Sequence, residues 1–105
     1  MDAKSNVSET LSAMLRNWNQ MAKSDLDEAE ADADRFQDSF YVFITAVRAW
    51  FDGLKEKPAD LDAALALPLI DEIVQQLPVQ LYLPFETELD LMVEGVERQM
   101  DEKYD

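Results

Sequence analysis

One long helical seam dominates this chain. Residues 29–54 read AEADADRFQDSFYVFITAVRAWFDGL. Apolar residues recur in this stretch at alternating steps of four and three, so one face of a helix stays turned toward a partner for about four heptads. We expect this helix to begin at Ser24, where Asp27 follows three residues later, and to end near 52–54. The seam consists of Ala29, Ala33, Phe36, Phe40, Phe43, Val47, Trp50 and Leu54.

The segment before the seam is also helical by pattern. We expect a first helix from Val7 to Lys23, because Asn6 and Glu9 resemble a capping box. Its apolar stripe is Val7, Leu11, Met14, Trp18 and Met21.

Prolines shape the segments after the seam. Pro68 divides residues 61–76 into two short helices or one bent helix. A last helix is expected from Pro84 or Phe85 onward, since proline suits the first helical position. Residues 77–85 are bounded by prolines, and a strand, an extended linker and a short helix all remain open there.

These patterns predict an all-α fold. The expected architecture is an antiparallel bundle of four to five helices, with a long central second helix and a proline-broken third segment. A chain of 105 residues fits a single domain, 1–105. Two glycines are too few for the turns of an all-β fold. We expect fraying at residues 1–6 and 102–105.

The composition excludes several kinds of chemistry. With no His and no Cys, the chain has no disulfide, thiolate nucleophile, imidazole zinc ligand or imidazole-based catalytic triad. We therefore expect no cofactor and no enzymatic activity. The start of the chain lacks the basic and then apolar pattern of a secretory signal, and no apolar stretch is long enough to span a bilayer. The expected location is the cytoplasm, away from membranes.

Negative charge is the main functional signal. The chain has 23 Asp and Glu against 9 Lys and Arg, a formal charge of -14. Scattered cations disfavour direct nucleic-acid binding. The charge favours instead a small acidic binding or regulatory protein whose partner is a protein with a basic surface, such as a nucleic-acid-binding protein. The candidate contacts are Asp27, Glu30, Asp34, Asp38, Glu94 and Glu97, with Tyr82 as an aromatic anchor.

Magnesium-dependent hydrolysis is the first alternative. Glu94, Glu97 and Asp101 share one face of the last helix, and carboxylates of the second helix could complete a site. This arrangement superficially resembles the all-helical nucleotide pyrophosphatases, which pair a Glu-Glu-x-x-Glu element with a Glu-x-x-Asp element. The chain departs from both motifs, because Ala31 follows three residues after Glu28 and Met100 three residues after Glu97.

Self-assembly is the second alternative. Tyr41, Ile44 and Phe51 form an apolar flank beside the seam of the second helix. If this flank were exposed, it would pair two chains in a homodimer.

Overall fold

The structure, a computed structural model, describes the backbone of residues 2–102 and the side chains of residues 2–95. All regular structure in the described part is helical, which confirms the all-α prediction. The chain groups into two compact units, residues 1–50 and residues 51–105, and the single domain stays a prediction. The helices are α1 (Ala3–Ala22), α2 (Ala29–Asp52), α3 (Leu61–Leu65), α4 (Pro68–Gln76) and α5 (Val79–Glu102).

The first unit pairs α1 with α2 in antiparallel fashion. Trp18, near the end of α1, packs edge-on against Phe36, near the start of α2, with ring centroids 5.2 Å apart. Asn6, near the start of α1, lines a groove together with Ala49, near the end of α2. Val7, Leu11 and Met14 of the predicted stripe are buried, and so are Phe43 and Val47 of the predicted seam. Ile44 and Ala46, beside the seam, are buried as well, whereas Ala33 of the seam is exposed.

Helix α1 begins earlier than expected. Asp2 is its N-cap, and the Ser5 amide donates a hydrogen bond of 2.7 Å to the Asp2 carboxylate. That bond, from the Ser5 backbone, lowers the pKa of Asp2. The predicted capping box at Asn6 is therefore wrong, because an equivalent cap lies one turn upstream. Residues 3–6 form the first turn, and fraying of residues 1–6 stays a prediction.

Helix α2 begins later than expected. Residues 24 and 25 have no regular structure and residues 26–28 form a turn, in which the Glu28 amide donates to the Asp25 carbonyl at 3.0 Å. Ser24 does not cap α2, since its hydroxyl donates to the side chain of Asp32. The predicted start at Ser24 is wrong for this reason. The end is confirmed, because α2 stops at Asp52.

Two short helices, α3 and α4, follow. This confirms the first of the two predicted alternatives. Asp60 caps α3 by accepting a hydrogen bond of 2.8 Å from the Ala63 amide. Pro68 stands in the first turn of α4, where its missing amide costs no helical hydrogen bond.

Helix α5 includes most of the proline-bounded segment, residues 77–85. It begins at Val79, so the predicted start at Pro84 or Phe85 is wrong. Pro84 lies inside the helix and cannot donate to the carbonyl of Gln80. Both residues are exposed, so water can hydrate that carbonyl. Residues 79–85 are thus helical.

Gly95 lies inside α5 without a packing reason. A Cβ atom added there would meet no described atom within 4 Å. Close approach of a neighbouring backbone therefore does not explain this glycine. The backbone of residues 103–105 lies outside the described residues, and fraying of 102–105 stays a prediction.

Candidate protein interface

An acidic ridge lies on the outer face of α2. Glu30, Asp34 and Asp38 are all exposed and stand four residues apart, so they follow one another along one side of the helix. They span about 12 Å at 1.5 Å per residue. None of them forms an ion pair with a described side chain, and Arg35, the cation within the run, pairs with Asp32. The acidic ridge is defined here as these three residues.

The other predicted contacts belong to other segments of the chain. Asp27 is exposed in the turn before α2, and Glu94 is exposed on α5. Tyr82 is exposed near the start of α5. The side chain of Glu97 lies outside the described residues. Three of the seven predicted contacts, Glu30, Asp34 and Asp38, thus follow one another along one side of α2.

Asp32 belongs to the same acidic run but is buried, with 5% exposure. The Ser24 hydroxyl donates to one of its carboxylate oxygens, and Arg35 donates to the other at 3.1 Å. These bonds compensate the burial of the carboxylate and join the connecting turn to the first turns of α2. Sequence alone did not separate Asp32 from its exposed neighbours.

We predict that Asp32→Ala lowers the free energy of unfolding by about 1–3 kcal/mol, since the hydrogen bonds that its carboxylate accepts from Ser24 and Arg35 are lost. The matched change Asp34→Ala removes an exposed carboxylate of the acidic ridge and should leave stability close to that of the wild type. Urea denaturation followed by tryptophan fluorescence measures both. Equal stability of the two variants would contradict a structural role for Asp32.

An apolar groove continues the outer face of α2 beyond the acidic ridge. Its volume is about 320 Å³, near the lower limit of small-molecule pockets. Tyr41 and Val42 stand partly exposed, and the small side chains of Thr45 and Ala49 follow one and two turns later. The apolar groove is lined by Asn6, Tyr41, Val42, Thr45, Ala46 and Ala49.

The apolar flank proposed for self-assembly is largely buried. Ile44 is 3% exposed and Phe51 is 1% exposed, so neither can pair two chains from its present position. Only Tyr41 of that set reaches the surface, where it lines the apolar groove. The predicted flank is therefore wrong as a dimer surface, because two of its residues serve the core. The homodimer itself stays a prediction.

A second exposed apolar surface, the α5 patch, lies at the start of α5. It consists of Val79, Tyr82 and Leu83, which occupy one helical turn and are 85%, 37% and 68% exposed. The neighbouring Leu81 and Phe85 are buried instead. The sequence singled out Tyr82 of this patch as a partner contact, and the helix determines which of its neighbours reach the solvent.

The carboxylates of the hydrolase alternative do not form a described cluster. Among the residues whose positions are described, no three acidic side chains lie close enough to hold a metal ion. Glu94 is exposed, and the side chains of Glu97 and Asp101 fall outside the described range. No helix of residues 2–102 is both long enough and apolar enough to pass through a bilayer.

The apolar groove was missed by sequence reasoning. Its signal was present, because Tyr41, Val42, Thr45 and Ala49 are uncharged and fall outside the seam. Such residues mark a surface only once the packing of α1 shows which side of α2 stays open. Comparison with protein-family models, with curated proteins and with solved structures finds no match to this chain.

Proposed function

We propose that this protein is a non-enzymatic binding or regulatory protein of the cytoplasm that contacts a basic partner protein through the acidic ridge. The observation that carries the proposal is the row of three exposed carboxylates, one turn apart, with no described cation paired to them. A partner lysine or arginine meets these carboxylates without first displacing an internal ion pair.

The negative charge of the acidic ridge favours one class of partner. Successive carboxylates stand about 6 Å along the helix axis from one another at four-residue intervals. Such a row attracts the Lys and Arg clusters with which nucleic-acid-binding proteins hold phosphates, so a protein of this class is the favoured partner. The net charge of -14 adds long-range attraction that speeds the encounter.

Charge neutralisation tests this proposal. We expect the triple variant Glu30→Gln, Asp34→Asn, Asp38→Asn to bind the partner about tenfold more weakly, since each exposed ion pair contributes up to ~1 kcal/mol and ~1.4 kcal/mol is tenfold. The measurement is capture of the partner from native cell lysate at low and high salt, then affinity of the purified pair.

The matched control neutralises three exposed carboxylates elsewhere. Glu9→Gln, Glu56→Gln and Glu72→Gln change the net charge equally and leave the acidic ridge intact. This control should bind almost as tightly as the wild type. Equal weakening of both triple variants would mean that only total charge matters, and binding that does not depend on salt would contradict an electrostatic contact.

A further inference from the structure

We infer that the apolar groove receives one large apolar side chain of the same basic partner. The acidic ridge and the apolar groove would then act as one surface for a basic amphipathic segment. This inference rests on the proposed function, because it assigns the cations of the segment to the acidic ridge.

The dimensions of the apolar groove fit a side chain better than a cofactor. A volume of about 320 Å³ accommodates one or two apolar side chains. Ala46 and Ala49 present little side-chain bulk in its lining, and Tyr41 with Val42 offers exposed apolar surface that an inserted group would remove from water.

Charge indicates which kind of molecule occupies the apolar groove. Asp38 stands about 10 Å and Asp34 about 16 Å along the helix axis from Thr45, at 1.5 Å per residue. A segment that lies along α2 with its apolar anchor beside Thr45 therefore places its next residues over carboxylates. Lysine or arginine at those places gains attraction, whereas a second copy of this chain brings a charge of -14 and is repelled. The occupant is thus a basic segment of another protein.

Two synthetic peptides provide the test. Both are alanine-rich helices of about 20 residues with the same number of lysines, long enough to be helical in water. The anchored peptide has a leucine in place of the alanine that would face Thr45, and the plain peptide keeps the alanine. Fluorescence anisotropy of labelled peptides at low ionic strength gives the affinity of each for the intact protein. We expect the anchored peptide to bind about tenfold more tightly, as burial of a leucine predicts.

Two substitutions test whether the leucine of the anchored peptide binds in the apolar groove. Ala49→Gln puts a long polar side chain into the apolar groove, and Ala33→Gln makes the same change at an exposed alanine of α2 outside it. Both keep the net charge and suit a helix. We expect Ala49→Gln to abolish the preference for the anchored peptide and leave binding of the plain peptide unchanged. Ala33→Gln should behave like the wild type.

The outcomes separate the inference from the proposed function. Equal, salt-dependent binding of both peptides would overturn the role of the apolar groove and leave the proposed function standing. If the protein still binds the anchored peptide more tightly after Ala49→Gln but no longer does so after Leu83→Ser, the role of the apolar groove is overturned as well. The leucine of the peptide would then contact the α5 patch. Binding of neither peptide would overturn both. Loss of the preference in Ala49→Gln alone would support the inference.

Discussion

Replacing Phe43 by alanine is expected to lower the free energy of unfolding by about 3–5 kcal/mol. Phe43 stands in the middle of the α2 seam and is fully buried. The substitution removes the transfer free energy of the ring and leaves a cavity that surrounding side chains fill only in part. A loss of this size is a large fraction of the stability of an ordinary domain.

Tryptophan fluorescence is a suitable probe for this experiment. Trp18 and Trp50, the two tryptophans of the chain, both lie within the unit of residues 1–50. The control is Tyr41→Ala, which truncates a half-exposed ring on the same helix. Tyr41→Ala should lower the free energy of unfolding far less than Phe43→Ala does. Similar losses for the two variants would mean that the seam does not face the core at Phe43.

The second large effect distinguishes a helix from a strand at the start of α5. In a strand, residues 81, 83 and 85 would share one face, whereas in a helix Leu83 points away from Leu81 and Phe85. Leu81 is 4% exposed, so Leu81→Asp buries an unpaired charge. This substitution should lower the free energy of unfolding by more than about 3 kcal/mol. Leu83→Asp places the same charge in solvent and should change stability by less than about 0.5 kcal/mol.

Chemical denaturation followed by far-ultraviolet circular dichroism compares these two variants. Comparable destabilisation by both would contradict the helical assignment. The Leu81→Asp variant also tests the predicted single domain. If residues 1–105 unfold as one cooperative unit, the tryptophan fluorescence transition should shift together with the circular dichroism transition. A tryptophan transition that stays at the wild-type midpoint would mean that residues 1–50 unfold on their own.

The sequence predicted the helices where one strong physical signal dominates. The four-three alternation from Phe36 to Val47 indicates a helix with one apolar face, and α2 is accordingly a helix of 24 residues. Its end at Asp52 falls within the predicted range of 52–54.

Helix starts were predicted less well because competing caps look alike in sequence. Asn6 and Asp2 both offer a side-chain oxygen, and only the structure shows that Asp2 is the cap. Ser24 also has a side-chain oxygen that could cap a helix, but its hydroxyl donates a hydrogen bond to the Asp32 carboxylate instead. Pro84 suggested a first helical position, yet α5 already begins at Val79, where the helix continues through the proline.

The candidate interface was predicted in part. The acidic ridge follows from four-residue spacing within one helix, so Glu30, Asp34 and Asp38 could be grouped from sequence alone. The burial of Asp32 and the openness of the apolar groove depend on how α1 and the connecting turn pack against α2. Such tertiary information is absent from local periodicity.

The central claim is that the acidic ridge binds a basic protein surface. Its most direct test is titration of the isotope-labelled protein with a lysine-rich peptide, followed by amide chemical shifts in NMR. We expect the largest shifts at residues 30–38, weakening as salt is added. Shifts spread evenly over all exposed acidic positions, including Glu56 and Glu72, would contradict the claim and leave the negative charge without a specific binding site.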